Sequence, residues 1–381
     1  MEVFIVEATD AYSPRIGGGE TYSVNLFKYL LEIGVRTVFI GASSSGSRVD
    51  QEDLSFIPVA SGTHFSNIGY TLRLLTSQSF KRVHARAVVN VQHPMYALPF
   101  VMFCPTNPMV ITLHGRVLHG VRLKQPRIKA VLYQIIESLC LRRCAAVIAV
   151  DAGTKDFYVR QYPWLSPKIR VIPIGIDLAR FKTLDRQVVR AKWGFGDDER
   201  IVMFAGRLEV EKDLGFLIES FRAVLTQVPQ ARLVFVGDGK DRKQLEDMAK
   251  DLTPKSVLFL GAQKPESMPE ILNCADVLAL CSLYEGSPTI VKEALACGVP
   301  VVSTLVGDVA EVIRNSLVGR IVPKETGEYS RAIVEFLSKT DREGTRRECV
   351  KVASEFAFDL AGKRTVELYE ELLHGMRGTG C

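Results

Sequence analysis

The sequence predicts an α/β protein built from two similar halves, each a parallel sheet covered by helices. Short apolar runs alternate with amphipathic helical segments along the chain, which is typical of repeated strand–helix units. Several of these runs end in polar or Gly-containing turns, as buried parallel strands do where they approach a ligand crevice. At 381 residues the chain is also too long for one core and suits two domains.

Composition favours a cytoplasmic globular protein. Hydrophobic residues make up 47% and charged residues 24%, and no apolar run reaches the ~18 residues that cross a bilayer. The sequence opens directly on a strand pattern, so we expect no signal peptide. The eight cysteines are scattered without a C-x-x-C pair, which predicts buried, reduced thiols. The six histidines show no ligand spacing, so we expect no metal and no cofactor.

Positive charge is concentrated in the first half. Residues 1–177 hold 19 Lys and Arg against 12 Asp and Glu, a net +7, whereas the remaining residues sum to −2. The segment 116–143 contains seven basic residues and only one acidic residue, Glu137, and its basic residues are interleaved with aliphatic residues. We interpret this segment as a surface for an anionic membrane or acceptor. A core helix with a solvated face is the alternative, and the lack of interleaved aromatic residues argues against nucleic acid.

In the first half, the apolar runs predict strands at 2–7, 37–40, 87–91, 109–113, 145–150 and 169–173, with a loop over 43–53. A Gly-rich turn, 16–20, opens a helix predicted from about Thr21 to Ile33, and such a turn lets backbone N–H groups approach an anion. Its order G-G-G-E is not a dinucleotide fingerprint. His93 and His114 follow two of the strands, where a ligand would lie, although a lone histidine is more often structural.

The second half repeats this scheme after a linker predicted at 175–190. Its strands are expected at 201–206, 232–237, 257–261, 275–281 and 301–304, with helices over 214–226 and beyond 325. The last helix, about 360–374, carries an apolar stripe. Arg207 and Lys212 lie between a strand end and a helix start, which suits a pyrophosphate. The alternative for Arg207 is a surface ion pair with Glu209 or Glu211.

The stretch 275–300 reads as a strand, a polar loop and a helix. Pro288 suits the first helical turn, and Gly298 with Pro300 ends the helix after Cys297. Glu285 lies in the loop, and Glu293 lies two helical turns further along, within the helix. We expect Glu293 to be an anion that accepts hydrogen bonds from hydroxyl groups, because the positive end of a helix stabilises a carboxylate.

These patterns together resemble the family 4 (group 1) retaining nucleotide-sugar glycosyltransferases. The spacing from Glu285 to Glu293 resembles the family's E-x7-E signature. Further matching segments are Gly17–Glu20, Val110–His114, Arg143–Val150, Val171–Asp177 and Gly206–Lys212.

The resemblance implies a GT-B fold, in which two Rossmann-like domains face each other across a cleft and the C-terminal helix crosses back to the N-terminal domain. The implied domains are 1–177 with 360–381, on the acceptor side, and 190–355, which would bind the donor. The implied acceptor is a glycan, a lipid or a small molecule, and transfer would need no metal. The implied contacts to the donor are Arg207 and Lys212 with the diphosphate, Glu293 with the ribose, Glu285 with the sugar, the strand-end Gly206, the backbone of Gly286, Ser287, Pro288, Thr289 and Ile290, and Gly18, Gly19 and His114 from the first domain.

Several positions depart from the family pattern. Asp151 replaces the usual Ser, Ile174 the usual Asn, and Asp213 separates Lys212 from the glycine expected nearby. Asp308 replaces a glycine, which would add a carboxylate near the donor phosphates. Two alternatives to the transferase remain open: a non-hydrolysing sugar-nucleotide epimerase of the same fold, and a non-catalytic nucleotide-sugar-binding protein.

Overall fold

A computed structural model describes residues 1–10, 18–43, 55–61, 66–252 and 256–378. The chain divides into two compact units: unit 1 comprises Met1–Gly175 with Phe358–Cys381, and unit 2 comprises Ile176–Ala357. Most of the loop predicted at 43–53 lies outside the described residues, as does Gly17.

Unit 1 contains a seven-stranded sheet in which every pair of neighbouring strands is parallel. Its order is β3-β2-β1-β4-β5-β6-β7, so the strand sequence reverses direction between β1 and β4. The strands are β1 Glu2–Val6, β2 Arg36–Ser43, β3 Phe56–Ser61, β4 Val88–Val91, β5 Met109–Leu113, β6 Ala146–Ala149 and β7 Ile169–Val171.

The helices of unit 1 cover both faces of this sheet. They are α1 Gly18–Glu32, α2 Asn67–Ser77, α3 Leu98–Phe103, α4 Val117–Lys124, α5 Arg127–Arg143, α6 Ala152–Gln161 and the C-terminal α15 Phe358–Gly378. The final helix packs against α1 and the sheet through a cluster of buried residues that includes Phe358, Leu368 and Tyr369. Asp151 caps α6 by accepting a hydrogen bond from the backbone N–H of Thr154 at 2.7 Å, so the carboxylate serves as the cap that a serine would provide.

Unit 2 contains a six-stranded parallel sheet with the order β10-β9-β8-β11-β12-β13. The strands are β8 Arg200–Ala205, β9 Ala231–Val236, β10 Val257–Gly261, β11 Val277–Leu280, β12 Val301–Ser303 and β13 Gly319–Ile321. The helices are α7 Arg186–Trp193, α8 Leu214–Gln227, α9 Arg242–Met248, α10 Met268–Cys274, α11 Thr289–Ala296, α12 Val309–Val312, α13 Thr326–Leu337 and α14 Arg342–Ser354. This is the strand order of a Rossmann-like sheet, and the predicted α/β class with two such units is confirmed.

Two expectations about element bounds were wrong, and some elements were not expected. Helix α1 begins at Gly18, so Gly18 and Gly19 form its first turn instead of the preceding loop. The predicted linker 175–190 extends into α7, because Asp185 caps that helix through two backbone N–H groups. The edge strands β3 and β13 and the helices α2 and α3 were not predicted.

Both units have apolar interiors on each side of their sheets. The seven cysteines within the described residues are buried and unpaired. Of the helices in the described parts of the chain, none is both long and apolar enough to cross a bilayer.

Candidate functional site

The candidate site of unit 2 lies where its strand order reverses. Strands β8 and β11 are neighbours there, and the chain leaves them toward opposite sides of the sheet, so their loops open a crevice at the carboxyl edge. Gly206, Arg207 and Lys212 follow β8, and Glu285 follows β11. The two loops are joined by a hydrogen bond from the backbone N–H of Leu283 to the carbonyl of Glu211, at 2.8 Å.

Lys212 and Glu285 contact each other directly. The Nζ atom of Lys212 lies 2.5 Å from Oε1 of Glu285, and the Oγ atom of Ser282 donates to the same oxygen at 2.7 Å. Their side chains are 20% and 14% exposed, so the pair is partly shielded from water yet reachable by a ligand. The arrangement places a cation and a carboxylate together at the mouth of the crevice.

Arg207 is instead paired at the surface. Its side chain is 67% exposed and its Nη1 atom lies 3.3 Å from the carboxylate of Glu209, the alternative that the sequence left open. Such an exposed pair contributes little to stability, so a diphosphate would compete for the guanidinium at low cost. Asp213, which takes the place of an expected glycine, has a φ of 47°, a left-handed conformation that Asp tolerates better than most residues.

Helix α11 begins at Thr289, directly after the loop that carries Glu285. The sequence predicts this start to within a residue, and Gly298, with a φ of +76°, ends the helix as expected. The first amide groups of a helix have no acceptor within it, so this end of α11 provides N–H donors for an anion. The residues Gly286, Ser287, Pro288, Thr289 and Ile290 form the loop end and first turn of this unit.

Glu293 differs from the expectation. Burial raises the pKa of its carboxyl group to about 7, although the nearby charge of Arg180 and a hydrogen bond with Thr289 act in the opposite direction. The expectation of an ordinary anion stabilised by the helix was wrong, because Glu293 is the fifth residue of α11, past its first turn, and the dipole acts mainly within that turn. The carboxyl group therefore changes its charge near neutral pH.

Asp308 does not bring an uncompensated charge toward the site. One of its carboxylate oxygens accepts hydrogen bonds from Nζ of Lys292, at 2.8 Å, and from Oγ of Ser287, at 2.6 Å. The side chains of Lys292 and Asp308 are 0% and 2% exposed. Gly307 packs so tightly against the next loop that an added Cβ atom would lie 2.0 Å from the carbonyl oxygen of Gly286. This buried pair therefore fixes the loop that bears Gly286 and Ser287.

Sequence reasoning missed Lys292. A lysine inside an otherwise apolar stretch of α11 must find an anionic partner, and an acid in the turn after the next strand was the available signal.

In unit 1, the structure brings Gly19 and His114 together. A Cβ atom on Gly19 would lie 3.3 Å from the imidazole ring of His114, so only glycine leaves this approach unhindered. The backbone places Gly18 next to it in the first turn of α1. Burial lowers the pKa of His114 to about 4, so its ring is neutral at physiological pH.

A chain of buried hydrogen bonds orients His114. The Nε2 atom of His114 lies 2.9 Å from Oε1 of Gln92, whose amide donates to Asn90 at 3.1 Å. Asn90 in turn donates to the hydroxyl of Tyr369 on α15 at 2.5 Å. Because the Gln92 oxygen accepts, Nε2 carries the ring proton, and Nδ1 is left as a buried acceptor without a partner among the described residues.

His93 is held by hydrogen bonds within unit 1, as expected for a structural histidine. Its two ring nitrogens are hydrogen-bonded to the side chain of Asn67, at 2.9 Å, and to the backbone N–H of Met95, at 3.2 Å. Burial, with the neighbouring His114, lowers its pKa to about 3. It therefore caps a turn after β4.

The basic segment 116–143 forms the helices α4 and α5. Glu137 is buried on the inner face of α5 and accepts hydrogen bonds from the hydroxyls of Tyr158 and Tyr162, at 3.0 and 3.1 Å. The outer face carries exposed aliphatic side chains at helical spacing: Ile128 (85% exposed), Val131 (56%), Leu132 (56%), Ile135 (61%) and Leu139 (43%). The side chain of Lys124 lies outside the described residues.

The described residues include no group of three or more His, Cys, Asp or Glu side chains arranged to hold a metal ion.

Two family models match most of the chain. Residues 185–355 match glycosyl transferases group 1, and residues 16–180 match glycosyltransferase family 4. A D-inositol 3-phosphate glycosyltransferase of Nocardia farcinica is 31% identical over 292 residues, which cover 72% of this chain and 64% of that protein. Curated relatives of this kind are matched over less than two thirds of their own length.

Solved structures share the whole architecture. Sucrose-phosphate synthase from Thermosynechococcus elongatus superposes with a TM-score of 0.81 at 19% identity, over 98% of this chain and 99% of that one. Anabaena HepE, in complex with UDP and glucose, gives 0.77 at 18% identity, over 97% and 100%. The fold is that of these proteins, and the two family models lie one after the other along the sequence. The chain therefore belongs to the group 1 glycosyltransferases.

Proposed function

We propose that this protein is a retaining glycosyltransferase that moves a sugar from a nucleotide-sugar to a hydroxyl group of an acceptor. One observation carries the proposal: Lys212, Glu285 and the first turn of α11 converge where the strand order of unit 2 reverses. A cation and free N–H donors suit a diphosphate, and a carboxylate beside them suits sugar hydroxyls.

The proposed reaction breaks the bond between the anomeric carbon and the diphosphate and forms a bond to the acceptor oxygen on the same face. The acceptor's proton passes to an oxygen of the leaving diphosphate. Lys212 and Arg207, together with the N–H groups of α11, stabilise the charge that develops on that group. Because these groups already supply positive charge, we propose that transfer needs no metal, and a chelator should leave turnover unchanged.

The remaining groups orient the donor. Glu293, when ionised, accepts the hydrogen bonds of the two ribose hydroxyls, and Glu285 holds the sugar through its second carboxylate oxygen. The backbone from Gly286 to Ile290 donates to sugar and phosphate. His114, with Gly18 and Gly19, is proposed to serve the same reaction from unit 1, its neutral Nδ1 acting as an acceptor for a hydroxyl group.

Single substitutions test the donor site. Lys212→Ala and Glu293→Ala should each reduce turnover more than about 100-fold while the unfolding midpoint stays within a few degrees, because a charged hydrogen bond to the transition state is lost. Lys250→Ala and Glu328→Ala, on exposed side chains of the same unit, are the matched controls. Unchanged turnover in both site variants would refute the proposal. UDP, GDP and ADP, with their sugars, are the first probes, since HepE was solved with UDP.

Two alternatives make different predictions for the same site. An epimerase would exchange hydrogen at C2 of the donor sugar in deuterated water without any acceptor. A non-catalytic protein would bind the nucleotide-sugar and release no nucleoside diphosphate with any acceptor. Release of nucleoside diphosphate that depends on an acceptor favours the transferase over both.

We also propose that unit 1 binds an anionic membrane surface in the cytoplasm through α5. The exposed aliphatic stripe from Ile128 to Leu139 lies on a helix flanked by the basic residues Arg127 and Arg143, the combination found in helices that lie in a membrane interface. The basic balance of residues 1–177 adds electrostatic attraction to anionic lipids, or to an anionic acceptor carried by them.

Vesicle co-sedimentation tests this surface. Vesicles with about a third of anionic lipid should bind the protein, and vesicles of neutral lipid should not. Leu132→Glu with Ile135→Glu should abolish binding, whereas Leu31→Glu with Leu317→Glu, which adds the same charge elsewhere, should retain most of it. Equal binding by the two double variants would exclude α5 as the membrane surface.

A further inference from the structure

Unit 2 contains a second cleft, at the edge of the sheet opposite to the donor loops. It lies between α7 and α14 and has a volume of about 690 Å³, and five of its eleven lining residues are arginines. The cationic side chains that line it are Arg186, Arg190, Arg342, Arg346 and Arg347. This volume lies within the range of small-molecule sites.

A buried carboxylate behind this cleft holds three of its arginines. Asp276, directly before β11, is 2% exposed and pairs with Arg190 and Arg342, each at 2.8 Å, and also with Arg186. It further accepts the backbone N–H of Ile201 at 2.7 Å. One negative charge is therefore shared among three guanidinium groups, and it cannot neutralise them all.

Of these arginines, Arg190 donates its guanidinium hydrogen bonds to groups of the protein itself. Its guanidinium donates to the carbonyls of Cys274, Gly196 and Glu199 as well as to Asp276. It is 1% exposed, so it is part of the framework and does not face a ligand. The accessible donors of the cleft are those of its neighbours on α7 and α14.

Arg346 and Arg347 add two positive charges to the cleft, and the acidic residues that line it, Asp197 and Glu343, are fewer than its five arginines. Within the described parts of the chain, Arg346 donates two long hydrogen bonds of 3.4 Å, to the carbonyl of Leu184 and the side chain of Asn273. Burial, and then the like charge of Arg186, lower the pKa of Arg346, with Glu343 acting in the opposite direction. The cleft is thus a partly desolvated cationic site in which like charges repel each other.

The position of the cleft separates it from the donor site. Asp276 and Arg200 mark the amino ends of β11 and β8, whereas Glu285 and Lys212 follow the carboxyl ends of the same strands. Strands of four to six residues, at about 3.3 Å per residue, place the two sites roughly 15 to 20 Å apart. An anion in the cleft cannot also be the diphosphate of the donor.

We propose that this arginine cleft binds a small anion that carries two or more phosphate groups. Arginine forks match phosphate oxygens through paired N–H donors, and several guanidinium groups around one open volume favour a multiply charged ligand over a single oxyanion. Bound there, the ligand would tie α7 to α14 and stabilise unit 2. The proposal does not depend on the glycosyl transfer proposed above.

Tripolyphosphate is a suitable probe, with sodium chloride at equal ionic strength as the reference. In thermal unfolding of the whole protein, we expect the probe to raise the melting temperature by several degrees beyond the salt reference, since it binds the folded state. Titration calorimetry of Arg346→Gln with Arg347→Gln should show affinity at least about tenfold weaker. Arg314→Gln with Arg331→Gln, two exposed arginines of the same unit, is the charge-matched control and should bind as the wild type does.

Two further readouts make the test decisive. Without ligand, the Arg346→Gln and Arg347→Gln double variant should melt at the same or a higher temperature, because like-charge repulsion is relieved; a clear loss would mean that these arginines only hold the fold. Lys212→Ala should keep the part of tripolyphosphate binding that the arginine double variant loses. Absence of stabilisation beyond salt, or binding that is lost in Lys212→Ala and kept in the arginine double variant, would overturn the proposal.

Discussion

At the scale of single residues, the carboxyl group of Glu293 should give donor binding a characteristic pH dependence. Its pKa is raised to about 7 by burial, so the fraction that is ionised increases roughly tenfold between about pH 6 and pH 8. Only the ionised form accepts two ribose hydroxyls. We therefore expect the affinity for nucleoside diphosphate, measured by calorimetry, to rise by up to about tenfold over that range.

The Glu293→Gln variant is the control, because its amide does not titrate. At about pH 8 this variant should bind nucleoside diphosphate more weakly than the wild type. The ligand's own phosphate also titrates, and its contribution is subtracted from both proteins. After that subtraction, the affinity of the variant should no longer depend on pH. A slope that persists in this variant would assign the titration to another group.

Replacing one member of the buried pair of Lys292 and Asp308 should lower the free energy of unfolding strongly. Replacing both members should lower it by less than the two single losses together. Lys292→Met alone leaves an uncompensated carboxylate with 2% exposure, and Asp308→Asn alone leaves a buried ammonium group, so each should destabilise the protein by about 3 to 5 kcal/mol. The double variant should lose less than the sum of the two. Denaturant unfolding of all four proteins gives the coupling energy, and additive losses would show that the pair does not interact.

At the scale of elements, the sequence predicted apolar strands bounded by polar turns well and missed two of the edge strands. Strand β5, inside its sheet, and strand β10, at an edge of the other sheet, begin and end at the predicted residues, because both are apolar runs bounded by polar turns. Strand β3 contains Pro58, which normally argues against a strand but is tolerated at the edge position that β3 occupies. Strand β13, at the edge of the other sheet, has three residues and leaves no periodic signal.

The site shows the same division. Lys212 and Glu285 were predictable because each follows a strand end in a recognisable motif. The partnership of Lys292 with Asp308, and the burial that shifts the pKa of Glu293, depend on contacts between loops that are distant in sequence. Only tertiary packing determines the dielectric environment of a side chain.

Helix α15 should influence His114 through hydrogen bonds. The hydroxyl of Tyr369 accepts a hydrogen bond from Asn90, and Asn90 accepts one from Gln92. The side-chain oxygen of Gln92 in turn accepts one from His114. Gln92→Met leaves the imidazole N–H unpaired, so we expect kcat to fall about tenfold or more. The affinity of the nucleoside diphosphate should stay unchanged, because its proposed site lies in unit 2. Thr76→Val, an exposed substitution in the same unit, is the control, and an equal loss of nucleotide affinity in Gln92→Met would contradict this division of roles.

Helix α5 should also make stability depend on pH. Burial raises the pKa of Glu137 to about 7 against 4.5 for the free group, so the folded state binds more protons between these values. Unfolding free energy should therefore fall as pH rises from about 4.5 to 7, by at most about 3 kcal/mol from this residue. Glu137→Gln keeps an acceptor for Tyr158 and Tyr162 and should reduce that slope. An unchanged slope in denaturant unfolding would attribute it to other groups.

At the scale of the whole molecule, the two units differ in how the chain builds them. Unit 2 is continuous, Ile176–Ala357, whereas unit 1 needs its first 175 residues and α15, which is contributed from the other end of the sequence. The inner face of α15 buries Leu368 and Tyr369 in the core of unit 1, and Gly362 lies close to the ring of Tyr29. Without α15, a set of apolar side chains on α1 and the sheet would face water.

This difference predicts the behaviour of fragments. A fragment of residues 176–357 should fold on its own and show a cooperative unfolding transition. It should bind nucleoside diphosphate with an affinity within about tenfold of the full chain, because the residues of unit 2 that we propose to bind the donor, and their supporting ion pairs, all lie inside it. A fragment of residues 1–175 should aggregate or fail to unfold cooperatively, because deleting α15 exposes a buried apolar face. The same fragment joined to residues 358–381 by a flexible linker should regain a cooperative transition, which separates the loss of α15 from mere shortening of the chain. If the fragment 1–175 alone folded as stably as the linked fragment, α15 would not be part of the core of unit 1. If the fragment 176–357 folded without binding any nucleotide that the full chain binds, unit 2 would not be sufficient for the donor site.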